Sequence, residues 1–248
     1  MSIRDKIADD LRAAIEQGKL PPGARLPSEP ELAKQYGVSP GTARAALVVL
    51  GSEGLVVSSQ GRGRTVRDFQ PLEWPWTKFE RRDEHATGYD GVDAWEQQVR
   101  EMGRTPRVEI TVEIAVPPPH VAEALKLGED DVAVVRRRVR FVDGDPYLLQ
   151  DSWFDEELVR GTPLMRPEDV SAPGGVLASL GHEQVRYVDR ITVRMPHSAE
   201  TSKLGLPPGS PVAEHTRTGY DQDGNPLRCM VSILPGGRHT LVYEVEAG

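Results

Sequence analysis

The chain has 248 residues, enough for two domains that each bury a core, and no apolar run approaches the roughly 20 residues a membrane-spanning helix needs. A net charge of −8 and a single cysteine, Cys229, exclude a uniformly basic chain, a disulfide framework and a cysteine-based zinc site, and predict a cytoplasmic protein. The charge divides unevenly: residues 1 to 68 carry 10 Lys and Arg against 8 Asp and Glu, and the remainder 20 against 30, so the acidity belongs to the second part.

Ile3, Ile7, Leu11 and Ile15 recur every four residues, so residues 2 to 17 read as an amphipathic helix ended by Gly18. Pro21, Pro22, Gly23 and Pro27 make the next segment a loop, from which Arg25 is free to reach a phosphate. Ser28 to Glu31 reads as a capping box, with Pro30 tolerated in the first turn, where N–H groups lack intrahelical partners. Leu32, Ala33 and Tyr36 then face inward, and Gly37 supplies the left-handed residue that closes the helix. Ser39 caps a third helix with Pro40 at its first position, and the interval from Gly37 to Ser39 is the short turn of a helix-turn-helix.

On that third helix Ala43, Leu47 and Leu50 form the buried stripe, which turns Gly41, Arg44, Ala45 and Val48 outward. A guanidinium at Arg44 can bond two acceptors on a guanine in the major groove, a discrimination of about 1–3 kcal/mol. The alternative is a solvated arginine on an ordinary helix. Gly41 and Thr42 lie at the N-terminal end, where small residues let backbone and hydroxyl approach a phosphate. Leu55 to Ser59 and Arg64 to Arg67 read as strands on either side of Gln60, Gly61, Arg62 and Gly63, a turn whose backbone can approach the minor groove or flanking phosphates.

The pattern LPSE…ELA..YGVS..T.R.AL..L..EGLV…GRGR.V resembles the DNA-binding domain of GntR-type bacterial transcription regulators over nearly all of residues 3 to 67. The resemblance implies a winged helix-turn-helix at residues 1 to 68, with phosphate and base contacts at Arg25, Ser28, Ser39, Thr42, Arg44 and the wing residues Gly61, Arg62, Gly63 and Arg64. Many members have arginine where this chain has Pro30 and Pro40, which moves recognition here onto Arg44 and the wing.

Residues 69 to 91 show no sustained period and read as a linker; Trp74, Trp76 and Phe79 are costly to leave in water, so part of it is expected to dock on a domain surface. Beyond it the chain repeats itself. Pro119-His120 through Lys126-Leu127-Gly128 is echoed by Pro196-His197 through Lys203-Leu204-Gly205, and Val132, Ala133, Arg137, Asp143, Gly144 and Pro146 recur 80 residues later at Val212, Ala213, Arg217, Asp223, Gly224 and Pro226. Each half reads as helix, strand, short helix, strand, Asp-Gly turn, strand. Two copies suit one α+β antiparallel sheet about a pseudo-twofold axis, with helices covering a face.

If Arg136 to Arg140 is a strand, Arg136, Arg138 and Arg140 share one face and Arg137 the other. That is either a solvated, salt-bridged edge or an anion pocket. The layout of residues 92 to 248 resembles the UTRA domain, the effector-binding module of the HutC subfamily of GntR regulators, built on a chorismate-lyase-like fold. The resemblance implies an anion held by Arg138 and Arg140, a carboxylate facing the ligand at Asp151 and an aromatic near the pocket at Trp95. The second half has Thr218 and Tyr220 at the arginine positions, which leaves one anion site. A GS.Y segment of sugar-phosphate-binding relatives appears here as Gly175 and Leu177, so an aminosugar phosphate is not implied.

The histidines show no ligand spacing, and no phosphate-cradling loop or nucleophile–base pair stands out, so no cofactor, metal or catalytic residue is expected. The expectation is a homodimeric regulator, a repressor released from a palindromic double-stranded operator by a small anionic metabolite. The alternatives are a DNA-binding protein whose C-terminal domain only dimerises, and a lyase-like enzyme.

Overall fold

The computed structural model describes residues 2–59, 63–67, 71–75, 94–170, 172, 175–207 and 209–244. Three helices and a hairpin make the N-terminal domain. In α1 (Ile3–Glu16) the Ser2 hydroxyl accepts from the Asp5 N–H while the Asp5 carboxylate accepts from the Ser2 N–H. Ser28 and Ser39 cap α2 (Glu29–Tyr36) and α3 (Pro40–Ser52), and Gly37 takes the left-handed conformation between them, with φ of 66°. β1 (Val56–Ser59) pairs antiparallel with β2 (Gly63–Val66), and Arg25 bridges to Thr65. Ile7, Leu11, Leu32, Ala43, Ala46, Leu47, Leu50, Val56 and Val66 form one buried core. Ile3 stays exposed, so the packing stripe of α1 begins at Ile7.

The stretch expected to be a linker contains a strand. β3 (Leu72–Pro75) runs parallel to β10 (His239–Val242), and Leu72 is buried in one cluster with Trp95, Val99 and Tyr147. Four residues are too few to show a period, and the partner strand is far away in sequence. Trp76 and Phe79 lie outside the described residues.

After α4 (Ala94–Glu101) the chain runs through β4 (Pro106–Ala115), α5 (Pro119–Leu125), β5 (Ala133–Val142), β6 (Asp145–Asp155) and the short α6 (Glu156–Val159) and α7 (Val176–Ser179). It then repeats as β7 (Arg186–Arg194), α8 (Ser198–Leu204), β8 (Val212–Tyr220) and β9 (Pro226–Pro235). The six long strands form one antiparallel sheet in the order β4-β5-β6-β9-β8-β7. Read from either edge the order is the same, so a pseudo-twofold axis passes through the β6–β9 seam.

Register corrects the equivalences drawn from residue identity. Both hairpins carry an irregularity at the same place, Arg140/Phe141 in the first and Gly219/Tyr220 in the second, which sets β5 onto β8 at an offset of 79 rather than 80. The same offset carries the left-handed end of α5 at Lys126 onto that of α8 at Gly205, although identity aligns Lys126 with Lys203. Burial decides the matter: Leu125 and Leu204 fill equivalent buried sites. A one-residue slip in a strand exchanges its faces. The counterpart of Arg138 is therefore Arg217, not Thr218, and that of Arg140 is Gly219, not Tyr220.

α5 covers the sheet face carrying Ala133, Val135, Trp153 and Cys229, and α8 the same face through Leu204 against Val212 and Ile233. Cys229 is fully buried, and burial pushes its thiol up to about 11. The opposite face is closed at one end by α4, through Trp95 and Val99, and at the other by Val159, Leu164 and Leu177 against Val134 and Phe154.

Candidate DNA interface and ligand face

The N-terminal residues singled out in the sequence come together where they are described. The Ser39 Oγ accepts from the Thr42 N–H at 3.2 Å and lies 3.0 Å from the Thr42 hydroxyl, so the start of α3 is tied down beside exposed Gly41. Arg44 projects from the outer face of α3 with 68% of its side chain exposed. Exposed Arg25 lies along the wing, where a Cβ added at Gly63 would sit 3.6 Å from its Nε. The Ser28 hydroxyl is used locally, donating to the Glu31 carboxylate at 2.7 Å. Gly61 and Arg62 lie outside the described residues.

One participant escaped sequence reasoning. The Glu29 carboxylate accepts from Arg44 Nε at 3.1 and 3.0 Å and lies 3.5 Å from Nη1 of Arg64. It joins the outward arginine of α3 to the wing. In the sequence an acidic residue in a first helical turn reads as a partner of the helix dipole, which hides this second use.

In the C-terminal domain the alternation of β5 puts Arg136, Arg138 and Arg140 on the face opposite α5 and α8. Arg136 is fully buried and donates to the carbonyls of Leu164, Arg166 and Glu168 at 2.7, 2.5 and 2.6 Å, which holds that segment over the sheet. Desolvation works against its charge and lowers its pKa. The Arg140 guanidinium stacks 4.8 Å from the centre of the Trp95 ring, and its Nη2 is 3.4 Å from Gln150 Oε1. Arg138 lies 4.0 Å from Asp169.

Asp151 does not join Trp95, Arg138 and Arg140. It faces Arg137 across the strand pair and accepts from it at 2.8 Å on the helix-covered side, where burial raises its pKa despite the arginine. The residue opposite Arg138 is Gln150. At that level one row crosses the whole sheet: Ile110, Arg138, Gln150, Ser232, His215 and Ile191. Gln150 donates to Ser232 Oγ at 3.4 Å, and Gln150, Ser232 and His215 are all buried. Buried polar groups are costly unless hydrogen-bonded, so a polar row in the middle of a sheet face is not ordinary core.

The next row runs Val112, Arg136, Ser152, Met230, Arg217 and Asp189. Here the counterpart of Arg138 is cancelled. Arg217 donates to both oxygens of Asp189, at 2.6 and 2.9 Å, and His215 Nε2 is 2.6 Å from the same carboxylate. Burial works to raise the Asp189 pKa, but these hydrogen bonds more than offset it and hold it well below the usual carboxylate range. The residue at the position of Asp189 in the first half, 79 earlier, is apolar Ile110. Similar backbones thus carry opposite electrostatics.

Comparison with known proteins matches this division. Residues 3–66 match the family of bacterial regulatory proteins, gntR family, and residues 101–240 match the UTRA domain. An HTH-type transcriptional regulator of Mycobacterium tuberculosis is 32% identical over 241 residues, 91% of this chain and 79% of its own length. The HTH-type transcriptional repressor NagR of Bacillus subtilis is 26% identical over 97% of this chain and 93% of its own. The crystal structure of PhnF from Mycobacterium smegmatis shares the fold across the whole of both chains, with a TM-score of 0.58 at 21% identity. No helix among the described residues is long and apolar enough to cross a membrane. From helix caps to duplicated sheet, the chain belongs to the gntR family of bacterial regulatory proteins, in the HutC group that carries a UTRA domain, and is a DNA-binding transcriptional regulator rather than an enzyme.

Proposed function

We propose that the protein is a cytoplasmic, homodimeric repressor that leaves a palindromic operator when a small anionic metabolite occupies the arginine-bearing face of its C-terminal domain. The observation that carries this is the difference between the repeats: Arg217 has Asp189 on its neighbouring strand, while Arg138 has Ile110 there and shares its row with the amides and hydroxyls of Gln150 and Ser232. An anion there takes the place Asp189 holds in the second half, with Arg140 stacked on Trp95 as a further donor. Asp151, on the other face, is left out of this set.

On the DNA side Arg44 reads a base, and Arg25, Ser28, Ser39, Gly41, Thr42, Gly61, Arg62, Gly63 and Arg64 position the head on phosphates. Apolar residues at the two sheet edges, Ile114 and Val116 on one and Ile191, Val193 and Met195 on the other, are exposed, and an apolar edge of this kind supports pairing with a second copy. A gel shift on the gene's own upstream DNA, repeated over phosphorylated and carboxylated metabolites, tests the proposal. Release by one anion in the natural protein, and not in Arg138→Ala, is expected. Release by none leaves a C-terminal domain that only dimerises.

A further inference from the structure

Glu29 occupies the first position of α2, yet the capping of that helix is complete without it. Glu31 takes the Ser28 N–H at 2.7 Å and the Ser28 hydroxyl takes the Glu31 N–H. The Glu29 side chain instead turns to Arg44, and both of its oxygens lie on the Nε edge of that guanidinium. Nη1 and Nη2 of Arg44 make no hydrogen bond among the described residues, and the arginine is mostly exposed while Glu29 is mostly covered. A guanidinium gripped along its Nε edge presents the Nη1/Nη2 fork outward, the pair that matches O6 and N7 of guanine. A long side chain held beforehand also loses less rotamer freedom when it docks. Arg64 of the wing, 3.5 Å from the same carboxylate, is fixed relative to Arg44 by the same contact.

From this geometry we infer that Glu29 is a positioning residue for base readout, holding Arg44 end-on toward a guanine and setting the wing arginine beside it. The inference rests on Arg44 as the base reader. A carboxylate close to the phosphates weakens attraction to any duplex, so Glu29 exchanges non-specific affinity for discrimination.

The test uses the full chain, its Glu29→Gln and Arg44→Ala variants, a randomised duplex pool read by sequencing, and poly(dA-dT), which lacks the O6/N7 pair, as the non-specific probe. Glu29→Gln is expected to lose guanine preference at the base read by Arg44 by about five- to tenfold. Its affinity for poly(dA-dT) is expected to rise about two- to fivefold at low salt, with the melting temperature unchanged. A role confined to helix stability would instead lower both affinities together with the melting temperature, and would overturn the inference. Two further outcomes overturn it while leaving Arg44 as the reader: preference kept within twofold in Glu29→Gln but lost in Arg44→Ala, or both affinities raised equally with preference intact, which would make Glu29 a competitor of DNA. If Arg44→Ala itself keeps the preference, the assignment of the reader fails, and the inference with it.

Discussion

Asp189→Asn tests the electrostatic asymmetry of the two halves most directly. The substitution keeps the shape of the side chain and removes the carboxylate charge that Arg217, 4% exposed, grips through two hydrogen bonds, and an arginine stays protonated near neutrality. Breaking one side of a buried pair costs about 3–5 kcal/mol, because the remaining charge stays buried. With a urea slope of about 2 kcal/mol/M for a domain of this size, the unfolding midpoint should fall by roughly 1.5–2.5 M. Tryptophan fluorescence isolates the right domain, since Trp74, Trp76, Trp95 and Trp153 all follow the winged helix. The Asp189 pKa is depressed in the folded state, so its contribution is complete above the unfolded value of about 3.9 and disappears only as pH falls through the folded value. The deficit should therefore be present at neutral pH. Replacing both partners, in Asp189→Leu with Arg217→Met, should recover most of the loss, as apolar replacement of buried pairs often does. A loss below about 1 kcal/mol in the single variant, or no recovery in the double one, would refute the reasoning.

Ile110→Asp places in the first half the carboxylate that the second half already has; it should abolish ligand-driven release of DNA while leaving Arg138 in place, measured by the same gel shift, and retained release would show that Arg138 does not carry the anion. His239 is buried against Tyr147, and desolvation lowers its pKa to about 3 although its ring faces the Pro235 carbonyl. The folded state therefore binds fewer protons than the unfolded one between about pH 3 and 6.5, so stability is full above about 6.5 and falls by up to about 1.4 kcal/mol per pH unit below it; His239→Asn should flatten the decline in urea midpoints on acidification. Gly209 has φ of 81°, and a Cβ there would meet the Ser52 carbonyl oxygen at 2.5 Å, at the end of α3. Gly209→Ala should strain this contact between the loop before β8 and the reading head by about 1–3 kcal/mol and split the calorimetric unfolding into two transitions, where an unchanged profile would contradict the contact.

The parts legible in the sequence are those whose causes lie within a few residues. Ser28 with Glu31, Gly37, and Ser39 with Pro40 each state a helix end locally, and together they place α2 and α3 and the turn between them. β3 was not legible, because its reason for being a strand is the distant edge of β10 and not its own four residues. The assignment of Asp151 fails for a subtler reason. One alternate set in β6 is Leu148, Gln150 and Ser152, the other Leu149, Asp151 and Trp153, and neither is wholly apolar, so alternation does not say which faces which layer. The phase is set by the irregular pairing at Arg140/Phe141, a feature of backbone pairing that leaves no letter in the chain.

The same phase governs what the duplication means. Letter identity places Arg217 at the position of Arg137, a residue on the helix-covered face with Asp151 and Glu113, and by that alignment β8 has no arginine on the other face. Register places Arg217 at the position of Arg138, so both halves put an arginine there, and the difference between them passes to the neighbouring strand, where one has Ile110 and the other Asp189. A duplicated sheet offers two equivalent cradles at the outset. Supplying a carboxylate from the neighbouring strand converts one of them into a buried ion pair that helps hold the sheet together, whereas the other has Ile110 at that place and lies 4.0 Å from Asp169.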